Sequence, residues 1–131
     1  MTADSGQGDH RILVVTTTVA SDATATALAR SMVEQRLAAC VQIDRELTSL
    51  YRWKGELCED REARLVIKTA PAREAALRAF LAEHHPYELP QFVAMAVPAS
   101  AEYAEWVRAE VSVPAGIGPP AGQDEPLAAG S

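Results

Sequence analysis

The segment HHPYELP, residues 84–90, places two adjacent imidazoles, a tyrosine and a carboxylate between a predicted helix and a predicted strand. Imidazole nitrogens are common ligands of copper and other transition metals, so His84 and His85 are candidate metal ligands. Adjacent residues on a regular helix point about 100° apart, so one ion would take both rings only where Pro86 breaks the helix. The alternative is a helix end followed by a stiff loop, because the prolines restrict the backbone.

Each histidine also has an ordinary structural interpretation. His84 continues the helical spacing of Phe80 and Leu81, which predicts that it packs on the apolar face of a helix. His85 would lie in the last helical turn, where an imidazole interacts favourably with the helix dipole. Both interpretations stay open beside that of a metal site.

The other residues with nucleophilic or ligating side chains form no known motif. Cys40 and Cys58 are too few and too isolated for a zinc cluster, and in a chain that is not secreted they are interpreted as reduced thiols. The sequence has no nucleophile-elbow, metalloprotease or phosphate-loop motif, and no Ser–His or Cys–His pairing can be argued. We therefore predict that the protein is not an enzyme.

Length, composition and charge indicate one small globular domain. The chain has 131 residues, of which 48% are hydrophobic and 23% charged, and its formal net charge is -6. The negative charge argues against nucleic acid as a partner, because phosphate binding requires a basic surface. No apolar run approaches the roughly 20 residues that span a bilayer. The first ten residues lack a secretory signal pattern, so we expect no membrane association and a cytoplasmic location.

Composition separates both ends of the chain from the domain. Residues 1–10 are small and polar, and residues 112–131 are rich in Pro, Gly and Ala without periodicity. Such segments bury too little apolar surface to offset the entropy lost on ordering, so both are predicted to be disordered. The folded domain is predicted to cover residues 11–111.

Hydrophobic periodicity predicts four strands and three helices in this domain. The predicted elements are a strand at Arg11–Thr18, a helix from Ser21 or Asp22 to Gln35, a hairpin of Leu37–Trp53 with a strand ending at Thr69, a helix from Pro71 to Pro86, a strand at Phe92–Val97 and a helix at Ser100–Val111. Lys54 and Gly55 form the predicted hairpin turn, since glycine readily takes the positive φ of a tight turn. The predicted packing faces of the helices are Ala25, Leu28, Ala29, Met32 and Val33, then Leu77, Phe80, Leu81 and His84, then Tyr103, Trp106 and Val107.

The order β-α-β-β-α-β plus a C-terminal helix predicts an α+β, ferredoxin-like fold. In this fold an antiparallel sheet carries its two helices on one face. Two helices cannot cover the whole of so long a hairpin. Leu50, Tyr51 and Trp53 would form an exposed apolar patch at its far end on a monomer, so we expect another subunit to bury them.

Five fragments carry a resemblance to a known family: LAACVQI, TSLYRWKGEL, LVIKT, HHPYELP and EYAEWV. In this order and spacing the chain resembles the CutA divalent-cation-tolerance family over roughly Ile12 to Val111. The resemblance implies a ferredoxin-like subunit in a tight homotrimer, whose sheets join edge to edge through the long hairpins. It further implies tolerance of copper and other divalent metals, and a fold similar to that of trimeric nitrogen-regulatory signalling proteins. It implies no enzymatic reaction.

The resemblance transfers the family's copper ligands only in part. His84 and His85 match the family's histidines, but the position of its cysteine is Thr17 here. A glutamate that some members carry after the second proline is Gln91. Thiolate favours copper(I) in particular, so we expect weak copper(II) binding through the two histidines and poor copper(I) binding.

The resemblance also implies a ligand cleft between subunits. Lys68, Tyr87, Trp53 and Glu62 match the family pattern, and a cation among aromatic rings could hold a small anion there. The ordinary interpretation of Lys68 and Glu62 is that both are solvated. Two function classes therefore stay open: a trimer that binds or responds to divalent metal ions, and a signalling or scaffold trimer that binds a small ligand in clefts between subunits.

Overall fold

The computed structural model describes residues 10–113. Apart from His10, Ser112 and Val113, the two segments predicted to be disordered lie outside these residues. The elements are β1 (Arg11–Val19), α1 (Asp22–Glu34), β2 (Cys40–Trp53), β3 (Glu56–Thr69), a 3-10 turn (Pro71–Arg73), α2 (Glu74–His84), β4 (Val93–Pro98) and α3 (Ala101–Val111).

The four strands form one antiparallel sheet in the order β2-β3-β1-β4. With the two crossover helices this is the predicted ferredoxin-like α+β fold with an added C-terminal helix, and that prediction is confirmed. β1 lies between two partners, because it pairs with β3 up to Val19 opposite Ala63 and with β4 up to Thr16 opposite Val93. A strand hydrogen-bonded on both edges is shielded from water, which explains its apolar, β-branched sequence.

The two faces of β1 pack against different helices. Successive strand residues point to opposite faces. Leu13 and Val15 therefore join the main core, which includes Met32 of α1 and Leu77 of α2. Ile12 points the other way and packs in a second cluster with Ala104 and Val107 of α3. Thus α1 and α2 share one face of the sheet, and α3 covers one end of the opposite face.

Helix α1 begins where the sequence indicates. Ser21 is its N-cap, and the Ser21 side chain accepts a hydrogen bond from the Thr24 backbone N–H at 3.1 Å. The predicted packing face is correct except at its edge. Ala25, Leu28, Ala29 and Met32 are buried, whereas Val33 is 43% exposed. One residue turns the helix by about 100°, which carries Val33 out of the buried stripe.

The same helical geometry explains why the prediction for one residue of α3 is wrong. Ala104, Val107 and Val111 form its buried stripe, and Trp106, which was predicted to share the packing face, is 44% exposed. Trp106 precedes Val107 by a single residue, so it lies at the flank of the stripe. Its ring contacts Tyr103, with centroids 5.6 Å apart.

The β2–β3 hairpin projects beyond the rest of the sheet. β1 stops pairing at Ala63, but the hairpin ladder continues from Leu47 opposite Glu62 to Trp53 opposite Glu56. At 3.3 Å per residue, seven residues extend it by about 23 Å. The predicted turn is confirmed: Lys54 and Gly55 both have positive φ, of 50° and 84°. This is the pattern of a type I′ turn, whose twist matches that of the strands.

Candidate functional site

His85 links the end of β1 to the loop that follows α2. Pro86 excludes the helical conformation for the preceding residue, and His85 is extended, with φ -76° and ψ 132°. Its ring is buried, and Nε2 lies 2.9 Å from the Thr18 carbonyl oxygen and 3.1 Å from the Thr17 hydroxyl. The Tyr87 backbone N–H donates to Nδ1 at 3.2 Å. We call this set of hydrogen bonds the His85 clasp.

The partners of the His85 clasp define the protonation state of the ring. A carbonyl oxygen only accepts, so Nε2 carries the proton, and Nδ1 uses its lone pair for the Tyr87 N–H. Burial lowers the pKa of His85 from its ordinary value of 6.5, although the Thr18 carbonyl and the Glu62 charge act in the opposite direction. The clasp therefore holds a neutral imidazole at neutral pH.

His84 lies in a different environment from His85. Its ring packs on Phe80, with centroids 4.9 Å apart, as its ordinary interpretation predicted. Its Nε2 is 3.8 Å from a carboxylate oxygen of Glu83, and its side chain is only 12% exposed. This distance permits attraction to a charged imidazole but is too long for a hydrogen bond.

The residues of one chain do not fit a copper ion held by both histidines. Each ring nitrogen of His85 already has a hydrogen-bond partner, and Nε2 would have to lose its proton or Nδ1 its donor before ligation. Within residues 10–113, no group of three or more His, Cys, Asp or Glu side chains could hold a metal ion. The copper(II) hypothesis stays a prediction, and the geometry makes His84 the more available ligand.

Thr17 occupies the position that the family resemblance assigns to a cysteine, and its side chain faces His85. Its side chain is fully buried, with the hydroxyl 3.1 Å from His85 Nε2. The strand end and the second histidine of HHPYELP therefore meet in the fold. In this chain they meet through a hydroxyl–imidazole contact rather than a thiolate.

A cleft of about 390 Å³ opens beyond the end of β1, where the β2–β3 hairpin continues and β3 no longer pairs with β1. Tyr87 comes from the loop after α2, and its hydroxyl donates to Glu62 of β3 at 2.6 Å. Tyr51 of β2 donates in the same way to the carboxylate of Asp60. The cleft is lined by Ala20, Tyr51, Trp53, Asp60, Arg61, Tyr87, Glu88 and Leu89.

The carboxylates dominate the electrostatics of this cleft. The hydrogen bond to Asp60 is the largest of several effects that raise the pKa of Tyr51 to about 12. Burial raises the pKa of Tyr87, and the hydrogen bond and charge of Glu62 raise it further. At the rim, the Lys54 ammonium lies 5.5 Å from the centroid of the Trp53 ring and 3.6 Å from a Glu88 oxygen.

Three of the four residues predicted for a ligand cleft come together within one chain. Trp53 and Tyr87 line it, and Glu62 borders it through its hydrogen bond. Lys68 does not join them: it lies opposite Val14, six residues further along β3, or about 20 Å away. Within one chain the loop after α2 therefore does not lie beside the Lys68 end of β3, and the cleft between subunits that would include Lys68 stays a prediction.

The direction of strand pairing explains this separation within one chain. The loop follows α2 to the carboxyl end of β1, and β1 runs antiparallel to β3. The carboxyl end of β1 therefore meets the middle of β3, at Ala63 and Arg64, and not its end. Asp60 was missed as a cleft residue, although a two-residue turn at Lys54 and Gly55 fixes its position near Tyr51.

Comparison with known proteins identifies the same family. The family model for the CutA1 divalent ion tolerance protein matches residues 13–110. The Divalent-cation tolerance protein CutA of Thermus thermophilus is 43% identical over 96 residues, which are 72% of this chain and 93% of that protein. Protein CutA of Homo sapiens is 38% identical over 81% of this chain and 61% of its own length.

The fold agrees with solved members of this family. The structure of the divalent cation tolerance protein Cut A1 from Thermus thermophilus superposes with a TM-score of 0.74 at 40% identity, covering 77% of this chain and 99% of that one. The ferredoxin-like fold and the matched sequence together define the class, and the chain belongs to the CutA1 divalent ion tolerance family. Within residues 10–113, no helix has the length and apolar character needed to cross a membrane.

Proposed function

We propose that this protein acts as a cytoplasmic homotrimer in tolerance of, or response to, divalent metal ions. Its relatives are named for divalent cation tolerance, and the chain belongs to their family. The observation that carries the assembly is the projecting hairpin. Leu50 is 63% exposed, Tyr51 41% and Leu57 71%, which is unfavourable for a strand pair in water.

The unpaired strand edges support the same assembly. Between Glu56 and Glu62, β3 pairs with β2 alone, and its other edge has no partner within the described chain. Edge-to-edge pairing of hairpins from three copies would satisfy these backbone groups. It would also bury both faces of the hairpin, which carry Leu50 on one side and Tyr51 and Trp53 on the other.

A second apolar surface lies on the sheet face that α3 covers only in part. Met95 lies opposite Val14 and Val93 opposite Thr16, and the two β4 side chains are 51% and 49% exposed. Three such faces meeting around an axis would remove this surface from water, at about 25 cal/mol for each Å² of apolar area. Both exposed surfaces therefore favour association of identical chains.

Light scattering tests the assembly directly. The full chain should show a mass about three times its 14.0 kDa at micromolar concentration. Trp53→Asp should lower the mass and the melting temperature together, because a charge would be buried at the interface. The matched control is Arg30→Asp, on the exposed surface of α1, which should leave the mass unchanged. A monodisperse wild-type monomer would exclude the proposal.

Copper binding is the finer part of the proposal. We infer that copper(II) binds weakly at the His84 imidazole nitrogen, and that the Glu83 carboxylate, 3.8 Å from Nε2, supplies an oxygen as the second ligand. His85 would contribute only after its clasp opens. Calorimetric titration should show that His84→Ala weakens binding more than His85→Ala does. If the double variant binds as tightly as the wild type, copper binds elsewhere.

A second candidate function is favoured by the cleft. Aromatic rings with a few polar groups in a concave site of about 390 Å³ are typical of small-molecule binding. The protein would then be a signalling or scaffold trimer that responds to a small ligand. Thermal shift measurements across a metabolite set distinguish this function from metal tolerance, because a bound ligand raises the melting temperature with no metal present.

A further inference from the structure

The β2–β3 hairpin contains one extra residue at the point where it leaves the sheet. The register of the two strands shifts between Asp44 and Leu47 of β2, where Arg45 and Glu46 both lie opposite the single residue Ala63 of β3. This arrangement is a β-bulge, which bends the bulged strand and increases its local twist. We call it the Arg45–Glu46 bulge.

The backbone of the bulge is strained at Glu46. Its φ is 59°, in the left-handed region that the Cβ of an L-residue disfavours. One class of bulge places a residue in this region, and that residue is usually Gly. A residue with a side chain keeps such a conformation only where the surrounding structure imposes it. The bulge is therefore a fixed feature of β2.

The position of the bulge gives it control over the direction of the projecting part of the hairpin. β1 pairs with β3 as far as Val19 opposite Ala63, and Ala63 is also the residue that faces the bulge. The bend therefore falls at the junction between the sheet and the projecting strand pair. Over the roughly 23 Å of that pair, a change of about 10° in the bend moves the hairpin turn by about 4 Å. Neighbouring strands lie about 4.8 Å apart, so this displacement is close to one strand spacing.

Side-chain contacts restrain the chain on both sides of the bulge. Before it, the Arg64 guanidinium donates two hydrogen bonds to Asp44 Oδ2, at 3.0 and 2.9 Å. Within it, Arg45 Nε lies 3.4 Å from a carboxylate oxygen in the first turn of α1. Beyond it, the Tyr87 hydroxyl donates to Glu62 at 2.6 Å. These contacts connect the bulged segment to β3, to α1 and to the loop after α2, and together they limit the range of bend angles.

We propose that the Arg45–Glu46 bulge sets the angle at which the projecting hairpin meets a second copy of the chain, and thereby determines which assembly forms. Edge-to-edge pairing brings two strands to a spacing of about 4.8 Å, so an error of one strand spacing at the hairpin turn would prevent it. This inference rests on the proposed homotrimer and names the feature of the chain that selects it.

Deletion of Glu46 removes the bulge without changing the rest of the ladder. Arg45 would then be the single residue opposite Ala63, and each ladder pair from Leu47 onward would keep its register and its face. Circular dichroism and a cooperative thermal melt establish that the full-length variant is folded. At the concentration where the wild type is a trimer, the mass of this variant by light scattering should fall toward the 14.0 kDa of one chain.

Three further variants at this position separate the bulge from the Glu46 side chain. Insertion of one Gly after Glu46 enlarges the bulge and should also lower the mass. Glu46→Gly and Glu46→Ala are the matched controls, because both keep the extra residue, and both should stay trimeric. Gly accepts a positive φ without strain, so Glu46→Gly should melt about 4–8 °C above Glu46→Ala. At a regular strand position the order would be the reverse, since Gly weakens a strand.

The outcomes distinguish this inference from the function on which it rests. A monomeric wild type would exclude the homotrimer itself. A trimeric wild type together with a folded, trimeric deletion or insertion variant would overturn the role of the bulge. If neither of these two variants folds, the bulge serves the subunit fold and not the assembly, and the proposal fails. It also fails if Glu46→Ala melts at or above the temperature of Glu46→Gly, because the bulge would then be absent in solution.

Discussion

Substitution of His85 should destabilise the fold by removing the His85 clasp. His85 is 7% exposed, and its ring makes hydrogen bonds with the Thr17 hydroxyl, the Thr18 carbonyl and the Tyr87 N–H. A buried polar group left without a partner costs about 1–3 kcal/mol. His85→Ala removes the hydrogen-bond partner of three such groups and also leaves a cavity. We expect a loss of about 2–4 kcal/mol in the free energy of unfolding, measured by urea denaturation at neutral pH.

Two conservative variants divide this loss between the ring nitrogens. Gln can place its amide N–H where Nε2 donates, and Asn can place its oxygen where Nδ1 accepts. His85→Gln should keep the bond to Thr18 and lose the bond from the Tyr87 N–H, and His85→Asn should do the reverse. Each variant should cost about 1 kcal/mol, less than His85→Ala. A cost below 0.5 kcal/mol for His85→Ala would refute the structural role, because changes away from packed features stay within about that range.

The same clasp predicts a pH dependence with a definite sign. The pKa of His85 is lowered in the folded state from 6.5, so the unfolded chain binds more protons as the pH falls below 6.5. The contribution of His85 to the free energy of unfolding should therefore be constant above pH 6.5. It should decrease as the pH falls from 6.5 through the pKa of His85 in the folded state. His85→Gln should remove this component, whereas Tyr87→Phe should keep it, because the Tyr87 backbone N–H is retained. An identical pH profile for the wild type and His85→Gln would contradict the assignment.

Three further predictions concern single residues. Gly55→Ala should cost about 1 kcal/mol in thermal stability, because φ is 84° and an added Cβ meets nothing within 4 Å, so the cost is conformational strain alone; an unchanged melting temperature would contradict this. Tyr87→Phe should cost about 1 kcal/mol in urea denaturation through loss of the hydrogen bond to Glu62, and combining it with Glu62→Gln should cost less than the sum of the two changes. Thr17→Cys should tighten copper(I) binding in a competition assay, since the side chain faces His85 at 3.1 Å; equal copper(I) affinity in the wild type and the variant would show that His85 stays unavailable.

The order and type of the elements could be predicted because local signals agree with the fold. The Ser21 cap, the Lys54–Gly55 turn and the helix end before Pro86 are each encoded within a few neighbouring residues. Val33 and Trp106 were wrongly predicted to be buried. Each lies one residue, or about 100° around the helix axis, from a buried residue at the edge of the apolar stripe, where periodicity is least informative.

The site could be predicted only in part, because it depends on where distant segments meet. The resemblance supplied Trp53, Tyr87 and Glu62, and the fold brings these together. Lys68 lies apart from them within one chain, and its distance from the loop depends on the pairing register of β1 with β3, which the sequence pattern does not specify; its place in a cleft between subunits stays a prediction. The resemblance implied that Thr17 comes near the histidines, but the residue pattern alone could not show its contact with His85, since the two are 68 residues apart along the chain.

The metal hypothesis and the cleft hypothesis are coupled through one side chain. His85 Nδ1 accepts the Tyr87 N–H, and the Tyr87 hydroxyl donates to Glu62 at the edge of the cleft. A metal ion could reach Nδ1 only by displacing that N–H, which would release the loop that forms one wall of the cleft. A metal on Nε2 would displace the proton shared with Thr18 and loosen the same ring. Metal binding at His85 and an ordered cleft are therefore mutually unfavourable in this chain. A ligand that orders the cleft should weaken metal binding at His85 by the same factor by which the metal weakens binding of that ligand.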